Sequence, residues 1–341
     1  MKTSDFDYEL PPSKIAQTPV EPRDQSRLLV LNRADGSLTH RRFLDVVDYL
    51  QDGDVMVLNQ SRVIPARFMG RKRDGGARVE LFLLNRTGEA VWEALAKPGK
   101  RLHAGTVVEI ESGDREDRIS AVVLSKLKNG TVRIHLDNEN LLESLGNVPL
   151  PPYIHTRLDD SERYQTVYAK TKGSVAAPTA GLHFTLNLLQ QIKAKGVELI
   201  FVTLHVGLGS FMPVKIDDPR GHSLHQEYCE LSSEVADKLN RAKKTGRRII
   251  GVGTTAVRTL EWTVQSDGLV RPCKEWNDLY ILPGYRFRMV DAMITNFHLP
   301  RSTLLMLVSA FAGREQILEA YSEAIRFDYR FYSFGDAMFI I

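Results

Sequence analysis

His222-Ser-Leu-His225-Gln-Glu227 is the densest group of acid–base residues in this sequence. Imidazole titrates near neutrality and a neighbouring carboxylate tunes it, so His225 with Glu227 suits general acid–base catalysis. The order is not HExxH and no second cluster completes a metal site, which leaves metal ligation the weaker alternative. A surface turn after Pro219-Arg-Gly221 is the plain alternative. Gly251-Val-Gly253-Thr254-Thr255 reads differently. At a strand-to-helix junction its backbone N–H groups and the helix dipole would face an anion, or Thr254 or Thr255 would simply cap the helix. It is neither GxGxxG nor a P-loop, because no Gly-Lys-Ser/Thr follows. Arg258, one turn on, could add a bidentate carboxylate clamp. Ser174-Val-Ala-Ala-Pro-Thr-Ala-Gly-Leu-His183 surrounds one histidine with small residues that permit close approach to a ligand. A lone histidine there also fits an ordinary packed, hydrogen-bonded role. No Gly-x-Ser-x-Gly elbow supports a serine hydrolase.

Such residues need elements to hold them. Arg27–Leu31 and Asp54–Leu58 read as short apolar strands. After Pro149 helices and strands alternate: a helix over Leu186–Lys195 ended by Gly196, then a strand over Val197–Leu204. Ser232 or Ser233 N-caps the next helix, with Val235, Leu239 and Ala242 on one face and Gly246 beyond its end. A strand over Arg248–Val252 and a helix over Thr255–Gln265 follow, the latter turning Val257, Leu260 and Val264 inward. This alternation predicts a largely parallel α/β core. Ligands of such sheets bind beyond the carboxyl ends of the strands. There the sequence places Asn59-Gln-Ser-Arg62, His205-Val-Gly207-Leu-Gly209, Gly253-Thr-Thr255 and, after a strand over Met289–Ile294, Thr295-Asn296-Phe-His298.

Between about Ala66 and His135 the texture changes. Strand-type runs at Ala77–Leu84, Val91–Ala96, Thr106–Ile110, Ile119–Leu124 and Thr131–His135 are separated by Gly75-Gly76, Gly88, Pro98-Gly99, Gly113 and Asn129-Gly130. Five or six short strands at this spacing fit a small antiparallel barrel or sandwich. The expected organisation is an α/β domain built from residues 1–65 and 149–341, with a β domain of residues 66–148 inserted into it.

Composition bounds the rest. Three hundred and forty-one residues, 43% hydrophobic and 26% charged, suit about two folded domains and exclude disorder over most of the chain. Cys229 and Cys273 make no disulfide framework or zinc spacing, which points to a reducing, intracellular setting. Met1–Leu10 carries Asp5, Asp7 and Glu9 and no apolar core of a signal peptide. The longest apolar run, Leu304–Ala312, is about half the ~20 residues of a membrane span, so a soluble cytoplasmic protein is expected. Forty-five Lys+Arg against 42 Asp+Glu give a net charge of +3, too little to proclaim a nucleic-acid binder. The charge is clustered, however. Arg62, Arg67, Arg71, Lys72, Arg73 and Arg78 form one basic group, and Arg241, Lys243, Lys244, Arg247 and Arg248 another. These are either solvated surface or phosphate contacts.

Several ordered segments together resemble the S-adenosylmethionine:tRNA ribosyltransferase-isomerase family of queuosine biosynthesis. They include Asp5–Pro12, Ile15–Pro19, Arg23–Leu29, Asn59–Arg67 and Pro151–Ile154. The match continues through Tyr164–Ala169, Gly173–Thr185, Leu204–Gly209, Gly253–Arg258, Thr295–Pro300 and Tyr329–Met338. The chain departs where that family usually has Thr-Phe-Arg-Pro-Val, carrying Ser210-Phe-Met212-Pro-Val214, and has Leu224 where it usually has methionine. The Trp276-Asn277-Asp278 stretch is also atypical.

The resemblance implies a barrel-like α/β domain carrying an inserted β-barrel, and a monomer. It implies transfer of the ribosyl part of S-adenosylmethionine to 7-aminomethyl-7-deazaguanine at the tRNA wobble position. Isomerisation to an epoxycyclopentanediol then gives epoxyqueuosine, with adenine and methionine released. S-adenosylmethionine is a substrate, no metal or redox cofactor is required, and the tRNA anticodon loop is the partner. For this chemistry the expected base is His225 with Glu227, or His205, and the expected acid is His183 or His298. Arg258 with Gly253, Thr254 and Thr255 would hold the methionyl end, and Arg62 and Arg67 the anticodon phosphates. Asn296 joins the substrate-binding candidates, because the deazaguanine edge wants amide or carboxylate partners. Methyl transfer is an alternative for any user of this sulfonium, although the glycine-rich loop after a first strand of many methyltransferases is missing. A non-catalytic protein reading single-stranded RNA is the other alternative.

Overall fold

Alternate residues of the apolar strands feed two separate cores, as the period-two geometry of a strand requires. Leu29, Leu31, Val55, Val57, Ile200, Val202, Ile249, Met293, Met338 and Ile340 point to one side. Leu28, Val30, Met56, Leu58, Ile250, Val252, Ile294 and Phe339 point to the other. This computed structural model describes residues 1–111, 119–127, 130–207 and 213–341. The expected turns at Gly113 and Asn129, and the segment from Leu208 to Met212, lie outside the described residues.

The nine-stranded sheet runs, edge to edge, Cys273–Asn277, Glu227–Leu231, Glu198–Leu204, Val55–Asn59, Ile249–Val252, Ala292–Asn296, Ala337–Ile340, Arg27–Leu31 and Leu38–Arg42. Its centre is parallel: Val55–Asn59 pairs with Glu198–Leu204 and Ile249–Val252, and the latter with Ala292–Asn296. Arg27–Leu31 is parallel to Ala337–Ile340, but that strand runs antiparallel to Ala292–Asn296. Glu227–Leu231 is antiparallel to both of its neighbours, and Leu38–Arg42 to Arg27–Leu31. The sheet is therefore mixed, where a largely parallel one was expected. Glu227–Leu231 and Cys273–Asn277 lie towards one edge, mix charged with apolar residues and so leave no continuous apolar run in the sequence.

Helices cover both faces. Ser233–Lys244, Gly253–Thr263, Thr303–Ala312 and Arg314–Arg326 pack Ala236, Leu239, Val257, Leu260, Leu305, Val308, Ile317 and Ala320 on one side. Leu186–Ala194 and the short 3-10 helix Phe43–Tyr49 fill the other with Leu188, Ile192, Phe43 and Val46. Ser232 caps its helix as expected, its hydroxyl accepting from Val235 N at 3.3 Å. Gly251 lets a helix sit close on the sheet, since a Cβ there would lie 2.6 Å from Val257 Cγ2.

The chain divides into two compact units. Met1–Arg62, Pro151–Thr171 and Ala177–Ile341 contain the mixed sheet, and Val63–Leu150 with Lys172–Ala176 form the second. The second unit is a closed antiparallel barrel of six strands. They are Arg67–Lys72, Arg78–Gly88, Val91–Lys97, Val107–Ile110, Ile119–Lys126 and Val132–Leu136. Phe68, Leu81, Leu83, Ala94, Val108, Ala121, Val123 and Ile134 are buried in it. Closure leaves no free sheet edge.

The basic clusters are braced by carboxylates. In the barrel unit Arg71 lies 3.1 Å from Glu111, Arg73 2.9 Å from Glu109 and Arg67 3.6 Å from Glu80. In the other unit Lys243 pairs with Asp291 at 3.2 Å, Arg247 with Glu198 at 2.8 Å and Arg248 with buried Asp54 at 2.6 Å. No helix among the described residues is long and apolar enough to cross a membrane.

Candidate active site

The carboxyl ends of the four parallel central strands meet along one margin of the sheet. Beside them lie the amino ends of Ala337–Ile340 and Arg27–Leu31, because Ala337 registers with Asn296. Asn59 ties two of these ends together. Its amide donates to Leu204 O at 2.9 Å and accepts from Leu204 N at 3.1 Å and Ser61 N at 3.0 Å. This brings Ser61 Oγ to 2.7 Å from His205 Nδ1. The His205 ring stacks on Tyr228, with centroids 5.9 Å apart, and Tyr228 meets Trp276 edge-on. Burial lowers the His205 pKa to about 4, with Glu230 opposing the shift.

Glu227 and Arg258 form a buried ion pair at the next strand end. Glu227 Oε1 also accepts from Gly207 N at 2.9 Å, and Arg258 Nε donates to Leu279 O at 3.1 Å. His225 lies two residues before Glu227 and is exposed, whereas Glu227 turns inward to Arg258. His222 is half-buried and its ring meets Tyr280 edge-on.

The helix carrying Arg258 begins at Gly253, whose φ of +85° is open to glycine at little cost. Thr254 and Thr255 lie buried in its first turn, and no side chain caps this helix end. The capping role considered for either threonine is therefore not the one they play. Uncapped N–H groups at a helix start favour an anionic partner.

His183, Asn296 and His298 converge from the adjoining segments. His183 Nδ1 lies 2.7 Å from Ser26 Oγ, and its Nε2 lies 3.2 Å from Asn296 Nδ2. Asn296 Nδ2 also donates to Tyr332 O at 3.0 Å. His298 Nε2 lies 2.8 Å from Thr295 Oγ1, and its backbone N–H donates to Tyr321 OH at 2.9 Å. Burial lowers the pKa of both histidines to about 3, assisted at His183 by the positive charges of Arg330 and Arg23. Both rings are therefore neutral at physiological pH.

Arg258, Gly253, Thr254, Thr255, Asn296 and His298 line one cleft that opens to solvent. Three of its lining residues carry a buried polar atom with no hydrogen-bond partner among the described residues: Thr255 Oγ1, Arg258 Nη2 and Asn296 Oδ1. Orphaned groups of this kind are costly and rare in folded proteins, so together they mark a place for a polar ligand. His183 stands behind Asn296 and Glu227 behind Arg258, whereas His205 is not among the lining residues and its ring meets Ser61 and Tyr228. Arg62 pairs with Glu162 instead of lining the cleft, and Arg67 belongs to the barrel unit.

Tyr153, Tyr332 and Ser333 also line the cleft, and residue-by-residue reading of the sequence missed them. The two tyrosine rings lie 4.7 Å apart, and Tyr153 OH is 2.7 Å from Ser333 Oγ. Both segments fall inside the matching motifs, which was the signal available. Among the described residues no group of histidine, cysteine, aspartate and glutamate is arranged to hold a metal.

A mixed α/β sheet with a cleft at its strand ends, and a closed β-barrel as the second unit, define a two-unit α/β protein. A sequence model described as "Queuosine biosynthesis protein" matches residues 3–340, and the chain belongs to that family. It is 52% identical over 342 residues to the S-adenosylmethionine:tRNA ribosyltransferase-isomerase of Clostridioides difficile (strain 630), covering all of both chains. It is 55% identical over 343 residues to the enzyme of that name from Dehalococcoides mccartyi (strain CBDB1), again over all of both chains. The crystal structure of S-adenosylmethionine tRNA ribosyltransferase from Thermotoga maritima is 40% identical, with a TM-score of 0.57, and covers 99% of this chain and 100% of its own.

Proposed function

We propose that this protein transfers and isomerises the ribosyl moiety of S-adenosylmethionine onto 7-aminomethyl-7-deazaguanine at the wobble position of tRNA, giving epoxyqueuosine-tRNA, adenine and methionine. The observation that carries the reading is the set of unpartnered polar atoms in one cleft of a chain from this family. S-adenosylmethionine is a substrate here, and the chemistry calls on no metal or redox cofactor.

The groups divide by what they can meet. Arg258 Nη2 and Thr255 Oγ1 are donors beside an uncapped helix start, and together they suit the methionyl carboxylate. Glu227 holds the guanidinium in place through Nη1, which leaves the second nitrogen for the ligand. Of the expected bases, His225 is exposed, Glu227 is tied to Arg258 and His205 is not among the cleft's lining residues. His298 stands in the cleft wall, so we reassign it from acid to the base that takes the proton from the C5′ carbon next to the sulfonium. The electron pair left on C5′ forms the bond to C1′ that closes the carbocycle. The ring oxygen, released from C1′, replaces sulfur on C5′ to close the epoxide, so the C–S bond breaks with its pair on sulfur and methionine leaves as a thioether. Adenine leaves from C1′ with the electrons of its glycosidic bond and picks up a proton. The aminomethyl nitrogen loses a proton as it gains the pentosyl carbon. One chain supplies every residue of this site, in keeping with a monomer, and a tRNA substrate is in keeping with action in the cytoplasm.

The test incubates the protein with S-adenosylmethionine and tRNA, with and without the aminomethyl-deazaguanine base, and quantifies adenine, methionine and the mass of the wobble nucleoside. Adenine release with a matching mass gain, only on the modified tRNA, is expected. A methylated nucleoside would replace this reading with methyl transfer, and tRNA binding without product would replace it with a binding protein. His298→Gln is expected to lower kcat by at least ~100-fold, in keeping with the loss of a general base.

A further inference from the structure

The hydrogen bonds around Asn296 fix which way its side-chain amide faces. Tyr332 O is a backbone carbonyl and can only accept, so the atom 3.0 Å from it must be the amide nitrogen. That same nitrogen meets His183 Nε2 at 3.2 Å, so Nε2 accepts and the imidazole proton sits on Nδ1, which donates to Ser26 Oγ at 2.7 Å. Ser26, His183 and Asn296 are 3%, 4% and 3% exposed, so water does not compete for these bonds. The His183 ring is further clamped by stacking on Phe43, with centroids 4.9 Å apart. Both amide hydrogens are thereby used behind the cleft wall. The oxygen is left with no partner among the described residues, in a residue that lines the cleft. A protonated His183 would set two donors against each other at Nε2, so the neutral ring belongs to the same arrangement.

We infer that Ser26 and His183 are positioning residues that lock Asn296 with its carbonyl oxygen presented as a hydrogen-bond acceptor, and that this oxygen selects an N–H donor on the edge of a purine-type base. This deepens the reading above and rests on it for the identity of the ligands. Two of them carry such an edge: the 6-amino group of S-adenosylmethionine and the 2-amino group of the deazaguanine. A carbonyl in place of the donor would face Asn296 Oδ1 acceptor to acceptor, which a buried site rejects strongly. Tyr153 and Tyr332, beside the amide in the same cleft, offer ring faces for a flat heterocycle.

The experiment measures both equilibrium binding and adenine release. Its ligands are S-adenosylmethionine, the analogue with oxygen in place of the 6-amino group, and tRNA whose deazapurine has or lacks the 2-amino group. Wild-type protein is expected to prefer one donor-bearing ligand over its analogue by ~10-fold or more, and the arm that discriminates identifies the base that Asn296 meets. Asn296→Ala and Asn296→Ser should bring that ratio close to one. His183→Phe keeps a packed ring but releases the amide, and should cut the ratio several-fold while leaving kcat on the preferred ligand less affected than KM. Asn296→Asp puts an oxygen against Tyr332 O and His183 Nε2, so its discrimination should recover as the pH is lowered and a proton is regained, whereas a merely structural role predicts no such recovery. An undiminished ratio in both alanine and serine variants, or wild-type protein that binds without discriminating in either arm, would overturn the inference. Discrimination in binding without adenine release would leave this inference standing and remove the proposed reaction instead.

Discussion

Arg258 is asked to do two things at once, and its substitutions separate them. Removing the side chain leaves Glu227 as an uncompensated buried charge, so Arg258→Ala should lose ~3–5 kcal/mol in urea unfolding. Arg258→Lys keeps the charge but not the fork of nitrogens, and should raise the KM for S-adenosylmethionine about tenfold with a smaller loss of stability. The buried histidines make a separate prediction about pH. His183, His205 and His298 have folded pKa values of about 3, 4 and 3, below the ordinary 6.5. Above the ordinary value both folded and unfolded chains are neutral at these positions, and the folded state keeps its full stability. As pH falls from there towards the folded values, only the unfolded chain takes up protons, so stability is lost across that window. Each unit of depression is worth ~1.4 kcal/mol per group. Urea midpoints measured between pH 7 and 4 should fall steadily, and His298→Gln should flatten the slope.

At the scale of elements, the strand-to-helix junction at Ile249–Val252 sets the arginine's position. Gly251→Ala places a Cβ against Val257 Cγ2 and should cost ~1–3 kcal/mol by overpacking, with a rise in KM because Gly253 and Arg258 shift together. Ser232→Ala, a cap remote from the cleft, should cost ~1 kcal/mol in thermal or urea unfolding and leave the KM unchanged. Such junctions were legible in the sequence, because apolar runs, serine caps and terminal glycines announce themselves over a few residues. The helix with Ser232 as its cap, the inward faces of Leu239 and Leu260, and the β-rich texture of the insert all follow from local pattern. The barrel strand Arg67–Lys72 escaped notice because its arginines and lysine mask the alternation of buried Phe68 and Gly70. The partner of Glu227 escaped too. Nearness in sequence suggested His225, whereas the sheet and helix bring Arg258 from 31 residues away. Asn296 and His183, 113 residues apart, meet only through the fold, and no spacing rule reports such a meeting.

For the whole molecule, the position of Ala337–Ile340 matters most. These residues are buried and lie between Ala292–Asn296 and Arg27–Leu31, so they join the two sides of the sheet. A chain ending at residue 336 should lose the cooperative unfolding of the sheet unit. Limited proteolysis should then leave a resistant fragment spanning about Val63–Leu150, because the closed barrel satisfies its own strands.

That arrangement also sets a timetable for synthesis on the ribosome. Arg27–Leu31 emerges early yet must wait for residues 337–340 before its inner edge is covered, while every strand of the barrel has been made by Leu136. At ~5–20 residues per second the early strand stays unpaired on that side for ~15–60 s of translation. During that interval its Leu28–Leu31 segment is exposed to chaperones and to other nascent chains, and rare codons late in the message would lengthen the exposure.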